Sequence, residues 1–371
     1  MIVAVLKEPE FESRVSLLAE GSASLVKKNI SVWVESGAGE KAACNDDEYL
    51  NSGALIKSRK EILSGADIFL TIHPDQVPSS LKNKLLIGVY QPLFNFKLMK
   101  DWAEKGLTVF SLDMLPRTTR AQSMDVLSSQ ANIAGYKAVL LAANIFPRYF
   151  PMFMTAAGTI PPARMLILGA GVAGLQAIAT ARRLGAVVEV FDTRPAVKEE
   201  VMSLGGKLIE VEGAADASSA GGYAVEQSAE FEQKQKGKIA ESLAKADIVI
   251  TTAQIPGKAA PKLISKTMIE SMKDGSVIID LASASGGNTE LTKDEETVKH
   301  QGVLIVGNSS LASTMPADAS KLYGKNLVNF FQLLINKENN LELNFEDDLV
   351  AGACITHGGQ IVNERIKALV K

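Results

Sequence analysis

Apolar residues recur along this chain in two alternating rhythms. Short runs rich in Val, Ile and Leu occupy residues 1–6, 30–35, 67–72, 85–90 and 107–112, and each reads as a buried strand. Between them the spacing is helical. In residues 11–28, Val15, Leu18, Ser22, Leu25 and Val26 fall near one face, which predicts an amphipathic helix. Strands and helices taking turns in this way predict a mostly parallel sheet with helices on its faces.

From about Gln122 to Asn144 the pattern becomes that of one long helix, SMDVLSSQANIAGYKAVLLAANI, which Pro147 and Pro151 end. It reads as a rigid connector between two domains. The segment TAAGTIPPA then leads into a second series of strands at 165–168, 187–191, 207–211, 247–251, 276–281 and 303–306. A helix at 327–335 and a tail to Lys371 follow with no linker, so the tail is expected to pack back on the first domain. The expected fold is α/β: two Rossmann-like doubly wound parallel-sheet domains joined by a long helix. Residues 1–125 plus 313–371 form the first domain and 126–312 the second.

The chain has 371 residues, enough for about two domains at roughly 150 residues each. Lys and Arg number 39 against 42 Asp and Glu, a net charge of −3 that gives no reason to expect nucleic acid as a partner. Hydrophobic residues make up 46% and charged residues 22%, which places the chain among folded rather than disordered sequences. Cys44 and Cys354 cannot build a disulfide framework, so a reducing compartment is expected. The start, MIVAVLKEPEFESR, lacks the basic and apolar regions of a secretory signal. The most apolar stretch, 131–171, is broken by Lys137, Arg148, Arg164 and four prolines, so no membrane span is expected.

The strongest local motif is RMLILGAGVAGLQAIATARRLGAVVEVFD. An apolar strand ends at Leu168; Gly169, Gly171 and Gly174 follow as G-x-G-x-x-G, and a helix begins at once. The first glycine permits a tight turn, the second lets a pyrophosphate approach the backbone, and the third allows close helix–strand packing. A second strand ends in Asp192, 23 residues after Gly169, where an acid takes the hydroxyls of the adenosine ribose and repels a 2′-phosphate. The pattern therefore points to NAD(H), with Arg194 as a counter-signal because arginine can receive that phosphate. A glycine-rich turn without a ligand is the plainer alternative.

Two further segments stand out. About 25 residues between the strand ending at Val211 and a helix expected near Lys238 are rich in Gly, Ala, Ser and Glu. A loop of that length is either functional or simply solvated, and Tyr223 after Gly221–Gly222 suits a lid residue on a hinge. The segment LPRTTRAQSMDVLSSQ carries Arg117, Arg120, Gln122, Asp125 and Ser128. Gln122, Asp125 and Ser128 recur at three-residue spacing, as on one face at a helix start. They read either as a helix-capping region or as a polar wall for a nicotinamide carboxamide and pyrophosphate. His73, His300 and His357 have no metal-ligand spacing, no metal site is expected, and no nucleophile motif is present.

The runs RTTRAQSMDVLSSQANIAGYKAV, TAAGTIPPARMLILGAGVAGLQAIATARRLGA, FDTRPAVKEEV, GGYA, TTAQIPGKAAPKLI and GGNTELT closely resemble the NAD(H)-binding component of proton-translocating NAD(P) transhydrogenase, a family related to alanine dehydrogenase. The resemblance spans essentially the whole chain. It implies that this component holds NAD(H) and a partner component holds NADP(H), with hydride passing directly between the nicotinamides. A transmembrane component couples the transfer to proton movement. By the same resemblance Arg117, Gln122 and Asp125 fall on a loop over the nicotinamide end, followed by Ser128. Asp192 falls on the ribose acid, with Thr193 and Arg194 beside it. Tyr223 falls on a mobile-loop tyrosine after Gly222, and Val172, Ala253 and Gln254 fall at cofactor-lining positions. A homodimer, peripheral to the cytoplasmic face of the inner membrane, is implied as well.

Direct transfer between two nicotinamides moves no proton at the reacting carbons, so the lack of an acid–base set is expected. Two other functions compete. An alanine-dehydrogenase-like enzyme needs a lysine and a histidine near its substrate carbonyl, whereas here the strand ends TIHPDQ and YQPLFNFKLMK has no histidine. A catalytically silent NAD-binding regulator draws support from LASASGGNTELT, which lacks an acid before Gly-Gly-Asn, and from Thr314 where the family tends to carry arginine.

Overall fold

The computed structural model describes residues 1–211 and 229–370. It divides into two compact units, Met1–Gln130 with Ala312–Lys371, and Ala131–Leu311. The first unit opens with β1 (Ile2–Val5), β2 (Ser31–Glu35), β3 (Leu55–Lys57), β4 (Ile68–Leu70), β5 (Leu85–Gly88) and β6 (Thr108–Ser111). The second holds β7 (Phe153–Thr155), β8 (Gly158–Ile160), β9 (Arg164–Leu168), β10 (Val187–Phe191), β11 (Lys207–Leu208), β12 (Ile248–Thr251), β13 (Val277–Asp280), β14 (Thr297–His300) and β15 (Val303–Gly307). Two more strands, β16 (Cys354–His357) and β17 (Gln360–Ile361), belong to the first sheet.

The first sheet runs β17-β16-β6-β5-β4-β1-β2-β3, parallel from β6 to β3 with an antiparallel edge at β16 and β17. The second runs β11-β10-β9-β12-β13-β15-β14, parallel except for β14. Both are doubly wound α/β sheets, as the alternating pattern predicted. The alternation of side chains explains why these strands read as unbroken apolar runs. Met165 and Ile167 pack on one face with Ala177, Ile178 and Ala181, while Leu166 and Leu168 pack on the other with Ile239, Leu243 and Ile269. In the first unit Val3 and Val5 face Leu25 and Tyr323, and Ala4 and Leu6 face Phe69, Tyr90 and Trp102.

Several local expectations change. Of residues 11–28 only Ala19–Val26 is helical. Val15 and Leu17 are fully buried, and the N–H groups of Ser13 and Val15 donate to Ser313 Oγ at 2.8 Å and Ser320 Oγ at 2.9 Å, so this backbone is satisfied by remote side chains. The long helix is Val126–Ile145; a separate 3₁₀ helix, Thr119–Met124, precedes it. The segment expected only to lead into the second series holds β8 and the last residue of β7, which pair as an antiparallel hairpin. The helix expected near Lys238 is Ala229–Leu243, so it begins earlier than expected. The helix expected at 327–335 is Pro316–Phe331, continued by a 3₁₀ turn, Gln332–Leu334. Among the described residues no helix is long and apolar enough to cross a membrane.

Candidate functional site

The chain leaves β9 toward β10 on one side, and β12 lies on the other, so the carboxyl ends of β9 and β12 flank a topological switch point. Open α/β sheets bind ligands in that crevice. Gly169, first residue after β9, has φ +104°, and a Cβ there would lie 2.4 Å from Thr252 Oγ1. Gly174 lies on the helix Val172–Arg183, and a Cβ there would lie 1.9 Å from the carbonyl oxygen of Gly169. These two glycines are therefore demanded by the protein itself. Gly171 differs: its φ of −76° is ordinary, and a Cβ would meet nothing within 4 Å. It caps the helix with no side-chain hydrogen bond, so the first-turn amides and the helix dipole face this open space. A backbone cradle of this kind fits the pyrophosphate of a dinucleotide.

Asp192 follows β10. Its Oδ2 accepts the N–H of Ala170 at 2.7 Å, which ties the acid to the glycine turn. Oδ1 accepts the Arg194 N–H at 2.8 Å and Nε at 2.9 Å, and Oδ2 accepts Nη2 at 2.8 Å. Thr193 lies half-buried between them. Val172 begins the helix and is 39% exposed.

The loop after β12 is clamped by a residue to which no role was assigned from sequence. Asn288, fully buried, accepts the N–H of Ala253 at 3.0 Å and donates to the carbonyls of Ala253 at 2.8 Å and Pro261 at 2.9 Å. Asp280, at the end of β13, in turn accepts the Asn288 N–H at 2.6 Å and Thr292 Oγ1 at 2.6 Å. Gln254 is exposed and donates to Leu281 O at 3.0 Å. The run GGNTELT had pointed to this corner only as a family motif. A second unassigned residue is Gly135: a Cβ there would lie 2.1 Å from Ala173 O, so glycine lets the long helix lie against the first turn after Gly171. Gly222 and Tyr223 lie outside the described residues.

In the first unit, Arg117 and Gln122 are exposed, and Asp125 and Ser128 are half-buried. Gln122 sits in the 3₁₀ helix and Ser128 in the α-helix, so the three do not share one helical face. Asp125 lies between the two elements in an extended conformation and caps the long helix. Its Oδ1 accepts the Ser128 N–H at 2.9 Å and its Oδ2 accepts Ser128 Oγ at 2.6 Å. Ala121 and Met124 are buried, and the carbonyl of Ser123 accepts from Asn326 and Asn329 at 2.9 Å each, which turns Gln122 outward. Arg120 pairs with Asp347 and Asp348.

The switch point of the first sheet, between β1 and β4, is filled by its own charges. Glu12 binds Arg14 through Nε at 2.9 Å and Nη2 at 2.7 Å, and His73 Nε2 at 2.8 Å. Burial opposes ionisation of Glu12, but the bonds from Arg14 and His73 prevail and hold its carboxyl below the usual range. Glu8 accepts the N–H groups of Ile72 and His73 at 2.6 and 3.1 Å, yet burial still pushes its carboxyl up to about 7. His73 thus sits at the strand mouth as part of a hydrogen-bonded network. No group of His, Cys, Asp and Glu among the described residues could hold a metal ion.

Fold, glycine turn and acid together have the geometry of the dinucleotide-binding class of α/β proteins. The chain belongs to the alanine dehydrogenase/PNT family, an oxidoreductase family: its N-terminal domain matches residues 4–134 and its C-terminal domain residues 138–364. It is 45% identical over 376 residues to the first part of NAD(P) transhydrogenase subunit alpha of Rhodospirillum rubrum, covering 98% of each chain. The crystal structure of transhydrogenase from Sinorhizobium meliloti matches 98% of this chain and 100% of that one, with TM-score 0.88 and 44% identity. An L-alanine dehydrogenase structure shares the fold at TM-score 0.83 and 23% identity, covering 100% of this chain and 99% of that one.

Proposed function

We propose that this chain is the NAD(H)-holding component of a proton-translocating transhydrogenase, exchanging hydride directly with NADP(H) on a partner component. A membrane component would couple that exchange to proton movement. The observation that carries the cofactor assignment is Gly171, a helix-capping glycine that the fold does not require, beside open space and next to a turn tied to Asp192. Gly169, Gly171, Val172 and Gly174 would hold the pyrophosphate, and Asp192 with Thr193 would receive the adenosine ribose. Ala253 and Gln254, fixed by Asn288 and Leu281, would line the pocket. Bound NAD(H) supplies the hydride carbon. The protein supplies placement and the exclusion of water, worth several kcal/mol of barrier at well-oriented sites. For that task the resemblance assigns Arg117, Gln122, Asp125 and Ser128 to the nicotinamide end.

The alanine-dehydrogenase reading fits less well, because Glu12 engages both Arg14 and His73 at the mouth of the first sheet. We further propose a homodimer, peripheral to the cytoplasmic membrane face through its complex. The β7–β8 hairpin supports self-association: Phe153, Met154 and Ile160, with Met152 just before β7, are exposed on or beside a two-stranded ribbon that joins neither sheet, and such ribbons are marginal alone.

The test mixes the purified chain with an NADP(H)-binding component and follows hydride exchange between NADPH and an NAD analogue. Exchange is expected. NADH binding without exchange would favour a silent regulator, and NADH oxidation driven by pyruvate and ammonia would favour the dehydrogenase. Gln122→Asn and Asp125→Asn should slow exchange by at least about tenfold while leaving NADH affinity within about threefold, the pattern of lost positioning. Equal losses in both would remove that role.

A further inference from the structure

The turn that carries Gln122 and leads into Asp125 does little to hold itself. Its 3₁₀ helix, Thr119–Met124, has no side-chain cap, and the bond that closes it, from the Asp125 N–H to the Gln122 carbonyl, is stretched to 3.4 Å. Beyond the burial of Ala121 and Met124, its anchors come from far along the chain. Asn326 and Asn329 both donate through Nδ2 to the Ser123 carbonyl at 2.9 Å, and Arg120 pairs with Asp347 and Asp348. The two asparagines stand three residues apart on the helix Pro316–Phe331, so they lie side by side on it. That helix is a firm platform, since Tyr323, Leu327 and Phe330 are buried in the core of the first unit.

Asn326 makes its bond against an opposing term. Only its amide NH₂ can face a carbonyl, which turns Oδ1 the other way. That oxygen is buried and, among the described residues, has no hydrogen-bond partner. A buried acceptor left unpaired opposes folding, and an apolar side chain of similar shape would not carry that penalty. The core by itself therefore gives no reason for an asparagine here. Satisfying the Ser123 carbonyl gives none either, because Asn329 already donates to it. What the second donor adds is direction: two amides on one oxygen, from adjacent sites on a fixed helix, hold the peptide against rotation.

We infer that Asn326 is a positioning residue for hydride transfer: it pins the Ser123 peptide so that Gln122, one residue earlier, keeps a fixed direction at the nicotinamide end. It acts through Gln122 alone, and it does so at some expense of stability. This rests on the transhydrogenase reading and on the role that reading gives Gln122.

The experiment measures three quantities on the full chain: hydride exchange with the NADP(H)-binding component, NADH affinity by calorimetry, and the urea midpoint. Asn326→Leu should leave the midpoint unchanged or raise it. It should keep NADH affinity within about threefold and slow exchange about tenfold, the pattern of lost orientation. A residue that served the fold alone would move the midpoint and spare the exchange rate. In the Gln122→Asn background, Asn326→Leu should slow exchange by less than about a further twofold, because both changes act on one group. If Asn326→Leu does not fold, Asn326→Ala removes the same donor without adding bulk and carries the same expectations for exchange and for coupling to Gln122. Normal exchange in the Asn326 variant, NADH affinity lost in step with exchange, or a further slowing of about tenfold on top of Gln122→Asn would overturn the inference. A wild-type chain that exchanges no hydride would instead overturn the transhydrogenase reading, and a Gln122→Asn chain with wild-type exchange would overturn the role of Gln122.

Discussion

Substituting Gly171 separates what the fold needs from what a ligand needs. Three glycines form the turn after β9, but only Gly169 and Gly174 are crowded: their Cβ atoms would lie 2.4 Å from Thr252 Oγ1 and 1.9 Å from Gly169 O, whereas none within 4 Å awaits one on Gly171. Replacing Gly by Ala where φ is ordinary stabilises by about 0.4–1 kcal/mol through the unfolded chain. Ala is a poorer helix cap than Gly, which offsets that gain by a similar amount. Gly171→Ala should therefore leave unfolding within about 1 kcal/mol of wild type. The same methyl would take the space next to the first-turn amides, and NADH affinity should fall at least about tenfold, or 1.4 kcal/mol. Gly174→Ala is the control: its Cβ meets backbone, so it should destabilise by about 1–3 kcal/mol. Urea unfolding by circular dichroism gives the first quantity and calorimetric titration the second. A folded Gly171→Ala chain that binds NADH within twofold of wild type would refute the placement of the pyrophosphate.

Two other predictions concern residues found only in three dimensions. Asn288→Ala strands the Ala253 N–H and two carbonyls; it should cost about 2–4 kcal/mol in urea unfolding and weaken NADH, and an unchanged midpoint would show that the loop after β12 is held otherwise. Glu8 carries a folded-state carboxyl raised from 4.5 to about 7, so its stabilising effect is complete below about pH 4.5 and is lost as pH rises toward 7. The loss amounts to about 3 kcal/mol at about 1.36 kcal/mol per pH unit. Trp33 and Trp102 both lie in the first unit, so tryptophan fluorescence reports its unfolding, and Glu8→Gln should flatten the pH slope. An equal slope in that variant would place the titration elsewhere.

The parallel strands were legible because both their faces are buried, which leaves an unbroken apolar run in the sequence. The edge strands β3, β14 and β17, and β16 beside β17, were not, since strands of two to four residues carry too little of such a run. Residues 11–18 misled for a different reason: their periodicity is helical, but Ser313 and Ser320, some three hundred positions away, take the backbone N–H groups that a helix would use. The three-residue spacing of Gln122, Asp125 and Ser128 misled in the same way, because Asn326 and Asn329 hold Ser123 in a separate turn.

Short-range chemistry was thus settled by the sequence alone: the strand–glycine turn–helix unit, the acid 23 residues on, and the family that these runs resemble. Each depends on neighbours within a few turns of chain or on a fixed spacing. Tertiary structure decided which of the three glycines the protein itself demands, how the oxygens of Asp192 are divided, that Asn288 clamps Ala253, and that Glu8 is buried deeply enough to hold its proton. Steric crowding, hydrogen-bond saturation and desolvation are set by groups that meet only once the chain has folded, and no local pattern records them.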